Sequence, residues 1–169
     1  MKRLAGAAIF LLVLFVLSAS SRAAAGNDFE TIREHADAYL SGMPDNGYYF
    51  SADDLMKRIE SGRKDFVLVD VRDTAKKYKS GHIPGAVYIN YREMAKPESL
   101  AKLPRDKDIL LYCNSGHEES KVMTVLRMLG YRAFALKFGY IAWKKEKPTD
   151  KVLGIIDNAA KKNYPVEKE

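Results

Sequence analysis

Cys113, the only cysteine of this 169-residue chain, stands where an apolar run ends and a polar loop begins. The stretch reads ILLYCNSGHEESKVM, from Ile109 to Met123. When a strand runs into a loop and then a helix, the loop N–H groups and the positive helix end can favour a thiolate, the nucleophilic form of cysteine. Gly116 allows the loop to curl where a side chain would obstruct it. The alternative is a buried, inert cysteine that packs as a small hydrophobic residue.

Apolar segments typical of strands alternate with helical patterns around this loop, which indicates an α/β fold with a mostly parallel central sheet and helices on both faces. The predicted strands are Phe66 to Asp70, Ala86 to Asn90, Asp108 to Tyr112 and Arg132 to Leu136. The predicted helices are one between the N-cap Ser51 and Gly62, one at Ala75 to Tyr78, one near Arg92 to Lys96, one at Glu119 to Leu129, and one opened by GYIAW. Ligands in such folds bind beyond the carboxyl ends of the strands, where Cys113 lies.

The first 25 residues have the layout of a secretory signal peptide. Lys2 and Arg3 precede an apolar run from Leu4 to Leu17, and small residues ending in Ala25 follow. The run is shorter than the roughly 20 residues that span a bilayer, although an uncleaved anchor is the alternative. We therefore expect cleavage near Ala25, export to the periplasm and no stable membrane insertion afterwards. A helical extension at residues 26–50 would precede the main domain at residues 51–169.

Charge and cysteine content exclude several classes of function. The formal charge is +6, and removal of residues 1–25 lowers it to +3 with the charges interspersed, which does not favour nucleic acid as a partner. One cysteine forms no internal disulfide bond. The sequence shows no clustered metal ligands, so we predict neither a metal nor a cofactor.

Four segments in the same order make this chain similar to a single-domain rhodanese from about Ser51 to Trp143. They are LVDVR at 68–72, SGHIPGAVYIN at 80–90, LLYCNSG at 110–116 and FGYIAW at 138–143. The resemblance implies a rhodanese-like fold and a sulfurtransferase. In such an enzyme a loop cysteine takes a sulfane sulfur as a persulfide and passes it to a thiol or to cyanide.

The resemblance also implies roles for individual residues. Cys113 would be the catalytic persulfide carrier, and Asp70 and Arg72 would position the site. His82 lies in the GHIPGA turn of the family and is better explained as a hydrogen-bonded structural residue than as a supporting one. Apart from the resemblance, His117 and Lys121 are the candidates for holding an anion near the sulfur, although Lys121 is better explained as a solvated residue. The loop that would cradle the sulfur consists of Asn114, Ser115, Gly116, His117, Glu118 and Glu119.

This chain departs from the family pattern at three places. The common loop C-x-x-G-x-R-S has an arginine that attracts anionic donors, whereas Glu118 and Glu119 occupy its Arg and Ser positions. Carboxylates near the sulfur would raise the thiol pKa and repel thiosulfate, although acids in a first helical turn also complement the helix dipole. Phe138 replaces a glycine, which would narrow the pocket mouth. An apparent insertion at about residues 147–160 would wall the active site or contact a partner.

The sequence favours an exported rhodanese-type sulfurtransferase that takes sulfur from a small anion or a persulfide and gives it to a thiol or cyanide. The alternative is a sulfur-carrier or protein-interaction module with little turnover, which the acidic loop favours and the retained cysteine opposes. The phosphatase and arsenate-reductase branch of the fold is disfavoured, because Glu119 stands where its C-x5-R motif needs arginine.

Overall fold

The protein, described here by a computed structural model, consists of two units. Helix α1 at residues 27–41 belongs to the first unit, and the second is an α/β unit that begins at Met43. The structure describes residues 27–145 and 147–167, so the predicted signal peptide lies outside the described residues. Within the described ranges, no helix combines the length and the apolar character that crossing a bilayer requires.

Five strands form the sheet of the α/β unit, and all of them are parallel. They are β1 (Tyr49–Phe50), β2 (Phe66–Asp70), β3 (Val87–Tyr88), β4 (Asp108–Tyr112) and β5 (Ala133–Leu136), in the order β1-β5-β4-β2-β3. The predicted α/β fold with a parallel sheet is thus confirmed. β1 was not predicted, because two residues are too few to show alternation.

Seven helices of the described residues surround this sheet or precede it. After α1 come α2 (Ala52–Glu60), α3 (Ala75–Ser80), α4 (Pro97–Leu100), α5 (His117–Met128), α6 (Tyr140–Trp143) and α7 (Lys147–Ala160). Ser51 caps α2 as expected: its Oγ accepts the N–H of Asp54, whose carboxylate accepts the N–H of Ser51. The helical piece predicted near Arg92 to Lys96 is present only as a short 3-10 helix. A 3-10 turn at Tyr91–Glu93 precedes α4 there, because Lys96 is extended before Pro97.

Alternation along the strands divides the core between the two faces of the sheet. One face holds Val69, Val71, Ile109, Leu111, Cys113, Ala133 and Ala135, packed with Val122, Met123 and Leu126 of α5. The other face holds Leu68, Leu110, Tyr112 and Leu136, packed with Leu55 of α2 and Tyr140 of α6. The Cys113 side chain therefore points to the face that α5 covers.

A buried ion pair fixes the strand ends on the face opposite Cys113. The Arg72 Nε donates to both Asp70 carboxylate oxygens, at 2.9 and 3.0 Å, and its Nη2 donates to the carbonyl of Gly81 at 2.6 Å. The Tyr112 hydroxyl donates to Asp70 at 3.0 Å and accepts the N–H of Ile83 at 3.1 Å. These bonds tie β2, β4 and the turn after α3 together.

We expect Asp70→Asn to lower the free energy of unfolding by about 3 kcal/mol or more, because it leaves a buried guanidinium without its counter-charge. Asp73→Asn is the matched control, because the ion pair between Asp73 and Lys77 lies at the surface. The exposed fraction is 48 % for the Asp73 side chain and 43 % for the Lys77 side chain. That change should cost no more than about 1 kcal/mol. Urea unfolding at neutral pH measures both, and equal losses would contradict the role given to Asp70.

Candidate active site

Cys113 is the first residue after β4 and is fully buried. Its carbonyl accepts the N–H of Tyr140 at 2.8 Å, which joins it to the start of α6. Its own N–H donates to Glu119 Oε2 at 3.0 Å, and its thiol donates to Glu118 Oε2 at 2.9 Å. The backbone of Cys113 is therefore held by two helices, and its sulfur already has a carboxylate as hydrogen-bond partner.

Two glycines allow the chain to pass close to this cysteine. Gly116 has a φ of 104° and immediately precedes α5, so the predicted curl of the loop occurs there. Gly139 has a φ of 61°, and a Cβ on it would lie 2.9 Å from the Cys113 carbonyl oxygen and 3.0 Å from that of Asn114. The turn before α6 can pack directly against the cysteine loop only because this position has no side chain.

Glu118 and Glu119 are the second and third residues of α5, and both turn towards the cysteine. The two acids thus occupy the first turn, where they complement the helix dipole, and also contact Cys113. Glu118 is partly buried and Glu119 is completely buried. Glu119 Oε1 has no hydrogen-bond partner among the described residues.

This surrounding favours the neutral forms of the thiol and of the buried acid. Burial, the charge of Glu119 and hydrogen bonds to both carboxylates raise the pKa of Cys113 well above its usual value. Burial likewise raises the pKa of Glu119, although hydrogen bonds from Cys113 oppose that shift. At rest the site holds a protonated thiol, so any nucleophilic chemistry must first move that proton.

The remaining loop residues line the rim of the site. The His117 ring is exposed, and its Nδ1 lies 3.1 Å from Ser115 Oγ. The Ser120 hydroxyl is bonded to the carbonyl of Gly116 and lies 2.8 Å from the Tyr49 hydroxyl. The sequence did not indicate that Ser120 and Tyr49 would lie at this site. Ser120 follows Gly116 by one helical turn, which is a usable signal, whereas nothing in the sequence relates β1 to this loop.

A cavity of about 430 Å³ opens beside the loop. Its lining consists of Tyr49, Ser115, Gly116, His117, Lys137, Phe138 and Ile156. Phe138 has a φ of 66° and is 60 % exposed, so it narrows this opening at the cost of backbone strain. Ile156 belongs to α7, so the segment interpreted as an insertion forms part of this wall.

The other predicted supporting residues lie apart from the sulfur. Asp70 and Arg72 are on the opposite face of the sheet, as described above. The His82 ring stacks on that of Tyr78 at 4.0 Å between centroids, and its Nδ1 is 3.0 Å from the Tyr78 carbonyl, which is the arrangement of a structural histidine. Lys121 is exposed on α5.

Comparison with known proteins gives one consistent result. The Rhodanese-like domain family matches residues 51–146. The "Probable adenylyltransferase/sulfurtransferase MoeZ" of Mycobacterium tuberculosis is 35% identical over 101 residues, which are 59% of this chain and 25% of that protein. A "Sulfurtransferase" of Allochromatium vinosum is 32% identical over 83 residues, or 48% of this chain and 75% of that protein. The chain therefore spans only a quarter of the length of the first relative.

The solved structures agree on the fold. The crystal structure of the BH2092 protein from Bacillus halodurans superimposes with a TM-score of 0.55 and 29% sequence identity. The match covers 63% of this chain and 78% of that one.

We expect iodoacetamide to alkylate Cys113 slowly at pH 7. The ordinary thiol pKa is about 8.5, and we expect the alkylation rate to continue to increase with pH at values well above it. The sign follows from the raised pKa of Cys113, since the reactive thiolate forms only at higher pH. Glu118→Gln keeps the shape of the side chain and removes its charge, so it should increase the rate at pH 7. A wild-type rate that levels off below pH 8, or an unchanged rate in the variant, would contradict the geometry described.

Proposed function

This chain belongs to the rhodanese-like domain family, and on that premise we propose that it is a sulfurtransferase that carries a sulfane sulfur as a persulfide on Cys113. The observation that carries the proposal is the placement of the sole cysteine of the chain. It lies at the carboxyl end of β4, against the first turn of α5, with a carboxylate 2.9 Å from its sulfur. A thiol in that position has both a substrate-facing loop and an acceptor for its proton.

Sulfur uptake begins when the thiol proton passes to Glu118 Oε2 along the existing hydrogen bond. The Cys113 thiolate then attacks the sulfane sulfur of the donor. One S–S bond forms at Cys113 while the S–S bond inside the donor breaks, and the leaving thiolate takes the proton from Glu118. Uptake therefore needs no oxidant or reductant.

Sulfur release follows the same path in reverse. An acceptor thiolate, or cyanide, attacks the outer sulfur of the persulfide, and the bond between the two sulfurs of the cysteine persulfide breaks. Cys113 leaves as a thiolate and takes a proton from Glu118, which an acceptor thiol has protonated on forming its thiolate; with cyanide, the proton of the persulfide itself passes to Cys113 through Glu118. The acceptor now carries the sulfane sulfur, and the resting site is restored.

The charge of the site favours an organic persulfide over thiosulfate as the donor. Glu118 and Glu119 both contact Cys113, and the single cation on the cavity wall is the exposed Lys137, among the described residues. A dianion that approaches the Glu118 carboxylate is repelled, whereas a persulfide with a neutral or apolar body is not. Tyr49, Phe138 and Ile156 give the cavity an apolar side that suits such a body.

A second candidate, a sulfur-carrier or protein-interaction module with little turnover, has one observation in its favour. The raised pKa of Cys113 keeps the thiol protonated, which slows nucleophilic attack. The hydrogen bond to Glu118 supports the enzyme instead, because it offers the proton a direct route.

The comparison of two donors in Glu118→Arg tests the proposal. Arginine at position 118 removes the proton acceptor, but its charge stabilises the Cys113 thiolate directly and attracts a dianion. With thiosulfate the rate should therefore rise about tenfold or more, since about 1.4 kcal/mol of transition-state stabilisation gives that factor. With the persulfide of a small neutral thiol the gain should be far smaller. The thiosulfate gain should also shrink at high salt, because salt screens partly exposed charges.

Two controls accompany this comparison. Glu98→Arg makes the same charge change at an exposed position of α4 and should alter neither rate. Cys113→Ser should abolish transfer from both donors, and mass spectrometry of the wild type should find one added sulfur on Cys113. If Cys113 carries the added sulfur but never transfers it to an acceptor, the protein is a sulfur carrier and not an enzyme. Sulfur transfer by Cys113→Ser would exclude the proposed mechanism.

We also propose that the protein is exported to the periplasm after removal of residues 1–25. The support is the charged, apolar and small-residue order of that segment. N-terminal sequencing of the protein from its own cells should find a start near Gly26 in the soluble periplasmic fraction. An intact Met1 on membrane-bound protein would reject both cleavage and soluble export.

A further inference from the structure

Cys113, Glu118 and Glu119 bring three potential metal-ligand atoms within 4.8 Å of one another. One is the sulfur, and the other two are carboxylate oxygens. Among the residues that the structure describes, neither carboxylate forms an ion pair with a lysine or an arginine. Three groups that each become anionic when deprotonated therefore share one small space without a protein cation.

Glu119 supplies a second, independent observation. Its side chain is fully buried, and Cys113 N–H holds one of its oxygens at 3.0 Å. The other oxygen, Oε1, is buried with no hydrogen-bond partner among the described residues. Leaving a buried acceptor unsatisfied costs about 1–3 kcal/mol, and a bound ion would remove that cost.

We propose that Cys113, Glu118 and Glu119 bind one divalent cation of the zinc type and supply three of its ligands. Zinc takes thiolate sulfur at about 2.3 Å and carboxylate oxygen at about 2.0–2.2 Å in a tetrahedral arrangement, which three atoms this close can reach with small side-chain shifts. The thiolate selects zinc over magnesium or calcium, which prefer oxygen alone. The cation replaces the protons that otherwise keep the site neutral, and it releases the thiol proton to solvent.

The bound cation occupies the same sulfur that carries the persulfide, so metal and sulfane sulfur exclude each other. Zinc is therefore an inhibitor and a protective ligand of this thiol rather than a catalyst. The inference uses the site of the proposed function, yet zinc binding needs no sulfur donor and can be tested without one. It departs from the sequence-based expectation of no metal, because Glu118 and Glu119 follow Cys113 at spacings that form no standard zinc motif.

Calorimetric titration of chelator-treated, reduced full-length protein with Zn²⁺ tests the proposal. We expect one equivalent per chain, and Co²⁺ in place of Zn²⁺ should give a thiolate-to-metal charge-transfer band in the near ultraviolet. Cys113→Ser should abolish both signals. Glu118→Gln and Glu119→Gln should each weaken Zn²⁺ binding at least tenfold, whereas Glu98→Gln at an exposed position of α4 should leave it unchanged.

The outcomes separate this site from an adventitious one and from the proposed function. Zn²⁺ binding that survives Cys113→Ser, or an affinity that Glu118→Gln leaves unaltered, would overturn the proposal. Glu118 is partly exposed, so this variant remains informative if the buried Glu119 variant does not fold. Sulfur transfer without any Zn²⁺ binding rejects the metal site alone, and Zn²⁺ binding without sulfur transfer rejects the enzyme alone.

Discussion

The structure brings together three side chains that each become negative when deprotonated, Cys113, Glu118 and Glu119, in a largely buried space. The thiol and Glu119 are fully buried, and Glu118 lies 2.9 Å from the sulfur. Like charges this close in a medium of low polarity cannot all persist, so at least part of the site must be neutralised. Protons and a metal cation are two ways to relieve the same constraint. This is why one cluster leads to a proton route, a preference for uncharged donors and a metal proposal.

The fold holds this cluster on rigid elements instead of on a flexible loop. The period of two along β4 directs Cys113 to the face of α5 and Tyr112 to the opposite face. On that opposite face the Asp70–Arg72 pair and its bond to Tyr112 hold the ends of β2 and β4 together. The backbone position of Cys113, the next residue after β4, is therefore fixed. Both acids belong to the first turn of α5, and their distance to the sulfur is set by the packing of that helix.

Much of this architecture could be predicted from the sequence, and the failures have physical causes. β2 and β4 were predicted with the observed bounds, because both are continuous apolar strands bounded by polar residues. β1 has no local signal, since its two residues become a strand only by pairing with β5. The cysteine loop could be located from the strand, loop and helix order. That Glu119 is buried and holds the Cys113 N–H could not, because this depends on how α5 is rotated against the sheet.

The C-terminal helix α7 contributes Ile156 to the cavity wall. The five strands, Cys113, Glu118 and Glu119 all lie before residue 146 in the sequence. In the sulfurtransferase proposed above, the wall that would contact the body of the donor is thus encoded separately from the groups that act at sulfur. Sequence changes within α7 can reshape the cavity without disturbing the folding core. Such an arrangement lets a lineage of proteins exchange one small molecule for another while it inherits the reaction unchanged.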